Sequence, residues 1–145
     1  MISIGPAPES KCYCGLANRS NRQNRIYGGN TTEKNEYPWM VRIHYRDRGG
    51  DGCGASLINS RWILTADHCV TEKKGTYVYP PEIVYAILGD HDITDPAEGT
   101  EVHRDISEII RHPRYKWIKG ERVPEYDIAL LEMKKNIDFI KGSHH

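Results

Sequence analysis

Short stretches of apolar and β-branched residues, separated by turn-forming residues, recur along the chain from residue 39 onward. The first stretch alternates apolar with polar positions, as a strand does when one face is buried and the other meets water. Gly, Pro, Asn and Asp interrupt the pattern between stretches, which is typical of tight connections. This pattern predicts six strands, over residues 39–45, 53–58, 62–66, 83–88, 107–112 and 128–133.

Six short strands with turns between them predict an all-β fold, a single antiparallel six-stranded barrel. No segment has a helical period, apart from one turn predicted near residues 67–71. A length of 145 residues indicates one domain with a modest core.

The two ends of the chain differ from the rest. Residues 1–25 are predicted to form a disordered tail, because residues 18–25 are wholly polar and have no period. The start lacks the basic residues and apolar stretch of a secretory signal. Residues 142–145, Gly-Ser-His-His, are interpreted as a tag remnant, with a natural end as the less favoured alternative.

The charge balance bears on the class of partner. The 20 basic and 20 acidic residues cancel, which predicts no general attraction to nucleic acid or acidic lipid. The three arginines of the polar tail are interpreted as part of a solvated linker rather than a nucleic-acid patch. No apolar run is long enough to cross a bilayer, so no membrane partner is expected.

The cysteines favour an extracellular protein. Cys12 and Cys14 lie near the start, and Cys53 and Cys69 lie in the middle of the chain. No second Cys-x-x-Cys or neighbouring histidine completes a tetrahedral zinc set, so disulfides are favoured over a metal site. Asn18 and Asn30 begin glycosylation acceptor triplets, which agrees with secretion.

Four short segments resemble, in order and spacing, landmarks of the trypsin-like (chymotrypsin-fold) serine proteases. They are Arg-Ile-Tyr-Gly-Gly at 25–29, Cys-Gly-Ala-Ser-Leu-Ile at 53–58, Trp-Ile-Leu-Thr-Ala-Asp-His-Cys at 62–69 and Asp-Ile-Ala-Leu at 127–130. Each match alone could arise by chance, but their common order is specific. The resemblance covers about residues 12–141. Since family members have two barrels, residues 26–141 are identified as the N-terminal half of such a peptidase domain, after a propeptide or linker tail at 1–25.

The resemblance implies a catalytic role for His68 and Asp127. A serine hydroxyl is a poor nucleophile near neutral pH and needs an adjacent base. Histidine suits that role, and a buried carboxylate holds its ring in one tautomer. His68 would then be the general base and later the general acid, with Asp127 as its partner. The alternatives are an ordinary turn histidine and a plain surface acid.

The nucleophile is the missing member of this set. No serine lies in the family's Gly-Asp-Ser-Gly setting; the serines are Ser3, Ser10, Ser20, Ser56, Ser60, Ser107 and Ser143. The family takes its nucleophile, oxyanion-hole amides and specificity pocket from the second barrel. The chain alone is therefore predicted to be inactive, and which residue type it would cleave after cannot be inferred.

The resemblance also implies an activation site. An activating protease would cleave between Arg25 and Ile26, and the new Ile26 ammonium would pair with an acid in the missing half. Tyr27 stands where the family usually has valine. The alternative is a polar loop followed by a Gly-Gly turn.

A disulfide between Cys53 and Cys69 is implied in the same way, since they match the bridge that pins the histidine loop. A loop of that length contributes about 3 kcal/mol in the chain-entropy model. Cys12 and Cys14 are expected to lack a native partner, because that partner would lie past Lys141.

Asp67 departs from the small alanine that usually precedes the histidine. The favoured interpretation is an outward-facing, hydrogen-bonded turn residue, because a carboxylate needs donors or solvent. The alternative is a weakened or repurposed site, in which Asp67 changes the proton affinity of His68.

The acidic residues at 90–101 resemble the calcium loop of trypsins. Asp90, Asp92, Glu98 and Glu101 fall near the matching positions, and calcium favours several oxygen ligands from a flexible loop. A solvated acidic hairpin is an equal alternative. No other cofactor is expected.

The functional prediction is a fragment of a secreted trypsin-like serine endopeptidase zymogen that acts on proteins or peptides. The alternative is a non-catalytic homologue that serves as an adaptor or binding protein, although an intact His68 and Asp127 argue against it. An unrelated extracellular binding module would have to explain the ordered landmarks by accident. The face that meets the second barrel is expected to be bare and apolar, which promotes association.

Overall fold

A computed structural model of the chain describes residues 3–4, 15–18, 32–50, 52–72, 77–92, 94, 101–118, 124–138 and 140–141. The strands are β1 (Ser3–Ile4), β2 (Met40–Tyr45), β3 (Cys53–Leu57), β4 (Trp62–Thr65), β5 (Val84–Leu88), β6 (Val102–Arg111), β7 (Ala129–Met133) and β8 (Ile140–Lys141). Short 3₁₀ helices lie at Asp67–Cys69 and Pro81–Ile83.

Six of the strands close into a barrel in the order β2-β3-β4-β7-β6-β5, and every neighbouring pair is antiparallel. This confirms the predicted all-β class and the six-stranded antiparallel barrel. The alternation in the sequence suits a closed barrel, because every second side chain of a strand points into the interior and is apolar. Strands β1 and β8 form a separate parallel pair, so residues 3 and 4 of the predicted disordered tail are paired.

The core consists of the inward positions of the six barrel strands together with Val70, Tyr79 and Ile137 from the connections. On β2, Val41 and Ile43 are buried, while Met40, the first residue of the strand, is exposed. The largest fully buried side chains include Ile43, Ile63, Leu88, Ile106, Leu131 and Met133. These come from five of the six barrel strands, and β3 contributes the buried Ala55 and Leu57, so every strand helps to fill the interior.

Strand β6 is longer than the sequence predicted, because it begins at Val102 rather than near residue 107. A bulge between Ile106 and Glu108 shifts its register against β7. The inward positions therefore change phase there, and strict alternation is broken. The sequence pattern identified only the half of the strand that follows the bulge.

Several predicted features lie outside the described residues. They are Cys12, Cys14, Arg25, Ile26, Tyr27, Asn30, Glu98 and residues 142–145. Within the part of the chain that is described, no helix has the length and apolar character needed to span a membrane.

Candidate active site

His68 is placed by the turn that follows β4. Ala66 is extended, and the chain then enters the 3₁₀ turn, in which Cys69 N–H donates to the Ala66 carbonyl at 3.1 Å. Thr65, the last residue of β4, pairs with Ala129, the first residue of β7. Asp127 lies two residues before Ala129, so the register of β4 against β7 brings this turn beside it.

The predicted contact between His68 and Asp127 is present. Asp127 Oδ2 lies 2.6 Å from His68 Nδ1, and Asp127 Oδ1 accepts the His68 backbone N–H at 2.8 Å. A carboxylate can only accept, so Nδ1 carries a ring hydrogen, and in the neutral imidazole the lone pair is therefore on Nε2. The His68 side chain is 51% exposed, against 24% for Asp127. The arrangement presents a fixed imidazole tautomer with its basic nitrogen free of Asp127.

The Cys53–Cys69 disulfide is also present, with the two Cα atoms 6.0 Å apart. It ties the end of the histidine turn to the first residue of β3. Cys53, His68 and Cys69 are near enough for their ligand atoms to lie within 4.8 Å of one another. Because the two sulfurs are bonded to each other, this trio is a structural bridge rather than a metal site.

A second tie to the histidine turn comes from β2. The Tyr45 hydroxyl donates to the Cys69 carbonyl at 2.5 Å. Burial raises the pKa of Tyr45, Tyr79 adds to the rise, and the Arg48 charge opposes it. The neutral hydroxyl is therefore favoured, which is the form able to donate this hydrogen bond.

Tyr126, directly before Asp127, has left-handed backbone with φ of 54°. Its ring stacks on His112 at 4.9 Å between centroids, and the Arg114 guanidinium lies 4.3 Å from the ring centroid. A residue other than glycine at this φ carries a backbone cost, which the ring contacts offset. The sequence did not predict these contacts of the Tyr126 ring, and the aromatic residue next to Asp127 was the one feature that indicated them.

Asp67 corrects the prediction of an outward-facing residue. Its side chain is fully buried, although it is hydrogen-bonded as expected. Arg111 Nε lies 2.9 Å and 3.0 Å from its two oxygens, and the Thr71 hydroxyl lies 2.5 Å from Oδ1. Successive residues of a 3₁₀ turn point about 120° apart, so an outward His68 leaves its neighbour facing inward. Arg111 is 44 positions away, which is why the sequence did not reveal it.

Tyr115 lies among these groups. Its hydroxyl is buried and, among the described residues, has no hydrogen-bond partner. Burial raises the pKa of Tyr115, the charges of Asp67 and then Asp127 add to the rise, and Arg111 opposes it. The Arg111 guanidinium lies 4.8 Å from the Tyr115 ring centroid. The charges of Asp67, Asp127 and Arg111 therefore all influence the ionisation of the Tyr115 hydroxyl.

The described members of the predicted calcium set already have neighbours. Arg42 Nη2 lies 2.7 Å from Asp90 Oδ2, and His103 Nε2 lies 3.1 Å from Glu101 Oε2. Asp92 Oδ1 accepts from Thr94, and these hydrogen bonds hold the pKa of Asp92 below its usual value. A calcium ion would have to share Asp90 with a guanidinium, so the site fits calcium poorly and stays a prediction.

Asn18, one of the glycosylation candidates, is exposed. Its side-chain amide donates to the Asn35 carbonyl at 3.1 Å. Glycosylation at Asn18 and at Asn30 stays a prediction.

Comparison with known proteins gives a consistent result. The sequence model of the family described as Trypsin matches residues 26–144. The chain is 35% identical to Venom serine protease 34 of Apis mellifera over 131 residues, which cover 90% of this chain and 30% of that protein. It is 34% identical to Melanization protease 1 of Drosophila melanogaster over 134 residues, covering 82% of this chain and 32% of the relative.

A human relative gives the same picture. The chain is 31% identical to Chymotrypsin-like elastase family member 1 of Homo sapiens over 115 residues, covering 78% of this chain and 40% of that protein. The chain thus spans less than half the length of each of these relatives.

Proposed function

The chain belongs to the trypsin family, and on that premise we propose that it is part of a secreted serine endopeptidase made as a zymogen. The complete enzyme hydrolyses peptide bonds of protein substrates with a serine, a histidine and an aspartate, of which His68 and Asp127 are the latter two. The 2.6 Å contact between His68 Nδ1 and Asp127 Oδ2 is the observation that carries the proposal.

The chemistry follows from that contact. Asp127 accepts the Nδ1 hydrogen, so His68 Nε2 is the basic atom. Nε2 removes the proton of the serine hydroxyl as the oxygen attacks the peptide carbonyl, and Asp127 stabilises the imidazolium that forms. The same Nε2–H then donates its proton to the leaving amine. A ring that is half exposed leaves room for both the nucleophile and the substrate to approach.

The serine comes, in this proposal, from outside the chain. Of the serines on described barrel segments, Ser107 lies 2.9 Å from Glu132 Oε2, on the strand pair β6–β7. No serine hydroxyl among the described residues donates to the His68 ring. The nucleophile, the oxyanion donors and the specificity pocket would belong to the rest of the protein, and the chain alone would be inactive.

An apolar row on the outside of the barrel supports a missing partner domain. Register places one position from each of five adjacent strands side by side: Met40, Ser56, Leu64, Leu130 and Ile110. Met40 is 53% exposed and Ile110 is 41% exposed at the two ends of the row. Exposed apolar surface of this kind marks an interaction face. We assign it to the second half of the protease domain.

Activation and secretion complete the proposal. Cleavage between Arg25 and Ile26 by another protease would release the Ile26 ammonium. Secretion is supported by the Cys53–Cys69 disulfide, because such bonds persist in oxidising compartments. The name of the Apis mellifera relative, Venom serine protease 34, agrees with this assignment.

The catalytic assignment is favoured over a non-catalytic adaptor. Asp67, which together with Tyr27 favoured that alternative, contacts Arg111, and Asp127 keeps its contact with His68. The residue at the nucleophile position, in the protein extended past Lys141, discriminates between the two.

The test uses that longer protein and compares kcat/KM for peptide amides. Asp127→Asn is expected to lower kcat by about 10⁴, because an amide favours the wrong tautomer of the ring. His68→Ala should reduce hydrolysis to a comparable or greater extent. His103→Ala and Asp105→Asn are matched controls, with side chains 55% and 52% exposed on β6. Full activity in H68A or D127N would contradict the proposed catalytic roles of these residues.

A further inference from the structure

We propose that Asp67 and Arg111 are a positioning pair for His68. The pair anchors the histidine turn to the end of β6 and balances the charge beside the imidazole. This role rests on the proposed function of His68. It also explains why an acid at position 67, where the family usually has alanine, is compatible with that function.

The anchoring follows from the contacts. Arg111 is the last residue of β6 and pairs with Ala129 at the start of β7. Its Nε holds both oxygens of Asp67, which is the first residue of the turn. The Thr71 hydroxyl closes the turn from the other side, 2.8 Å from the Asp67 carbonyl. The turn that carries His68 and the strand that follows Asp127 are therefore both attached to Arg111.

The charge balance follows from burial. The Asp67 side chain is 0% exposed and that of Arg111 is 24% exposed. A buried carboxylate without a partner is costly, and next to a histidine it would favour the imidazolium. Arg111 compensates that charge, so Asp127 is left as the acid that governs the ring. The titratable groups facing this region are Asp127 before β7, Arg111 on β6, Tyr115 after β6 and Tyr45 on β2.

The test measures the pH midpoint of the His68 ring signals by NMR in the 145-residue chain, with the signals assigned by H68A. Asp67→Asn leaves an uncompensated Arg111 and should lower the midpoint by about 0.5 pH unit or more. Arg111→Gln leaves an uncompensated Asp67 and should raise it by a similar amount. The double variant D67N/R111Q should return close to the parent midpoint, because both charges are gone.

The matched control is the Arg61–Glu132 ion pair, 2.9 Å long, which lies at the other end of β4, where Glu132 on β7 pairs with Trp62. Arg61→Gln and Glu132→Gln should leave the His68 midpoint unchanged. Midpoints in D67N and R111Q that move no further than in these controls, or that move in the same direction, would overturn the proposal. If R111Q does not fold, D67N against D67N/R111Q isolates the Arg111 charge, with the lower midpoint expected in D67N.

These measurements separate this inference from the proposed function. Opposite shifts that cancel in the double variant establish the positioning pair even without an assay of hydrolysis. Hydrolysis by the longer protein that survives H68A would reject the proposed function alone. In an active longer protein, D67N should move the acidic limb of the kcat/KM profile to lower pH and leave KM unchanged.

Discussion

The direction of one side chain decides how Asp67 affects the site. The sequence showed that an acid replaces a small residue at position 67, but the resemblance to the family did not give the direction of its side chain. The direction came from the 3₁₀ turn, in which His68 faces outward and Asp67 inward. The partner came from packing, because Arg111 reaches Asp67 only when β6 and the histidine turn are assembled. Charge at a buried position is thus harder to predict than the presence of the motif.

Tyr126 offers a test of strain beside Asp127. Tyr126→Ala removes the stack on His112 and keeps a side chain at positive φ. Tyr126→Gly removes the same stack but adopts this backbone without steric strain, at a smaller cost in backbone entropy. The free energy of unfolding in urea should therefore fall in both variants, and by about 1 kcal/mol less in Y126G than in Y126A. Equal losses would show that the backbone at Tyr126 carries no cost.

Strands and turns were predicted best where alternation is strict. The structure confirms five of the predicted strands within a residue or so, for example Met40–Tyr45 and Cys53–Leu57. The prediction for β6 was too short, because the bulge at Ser107 reverses the alternation of buried and exposed positions. The 3₁₀ helix at Pro81–Ile83 was missed, although Pro at its first position is a signal for a helix start.

The tie between β2 and the histidine turn is tested by Tyr45→Phe. Loss of the hydrogen bond to the Cys69 carbonyl should reduce the free energy of unfolding by about 1 kcal/mol at neutral pH. The exposed Tyr77 provides the control, since Tyr77→Phe should leave stability unchanged.

The same tyrosine contributes to the loss of stability at alkaline pH. Burial raises the pKa of Tyr45 above 10.0 in the folded chain, so between the unfolded and folded pKa the native state binds more protons. Stability should therefore be constant up to about pH 9 and fall as pH rises above about 10. The fall should be shallower in Y45F than in the parent or Y77F, as measured by urea unfolding at pH 8 to 11. An equally steep fall in Y45F would mean that Tyr45 does not control it.

For the molecule as a whole, the sequence predicted the fold class but not which outer face of the barrel carries an apolar surface. Periodicity shows that one face of each strand is apolar, which is enough for a barrel. It does not show that Met40, Leu130 and Ile110 line up on the outer face, because that depends on register across several strands. The candidate catalytic pair, His68 and Asp127, was predictable from its motifs, whereas the distance between the two side chains and the ring tautomer required the closed barrel.

The outer row and the absence of a nucleophile setting point to the same conclusion. A trypsin-family barrel with His68 and Asp127 in contact has the base but, in the proposed account, depends on a second body for the serine. In that proposal, the barrel orients the His68 ring but does not hydrolyse peptide bonds by itself.

The most direct test of this central claim is the hydrolysis of peptide amides by the purified 145-residue chain. Substrates with arginine, lysine or phenylalanine before the scissile bond cover the pocket types that the chain does not reveal. The account predicts no release of amine above the buffer rate, while the protein extended past Lys141 hydrolyses at least one of them. Turnover by the chain alone that phenylmethylsulfonyl fluoride and H68A both abolish would contradict it.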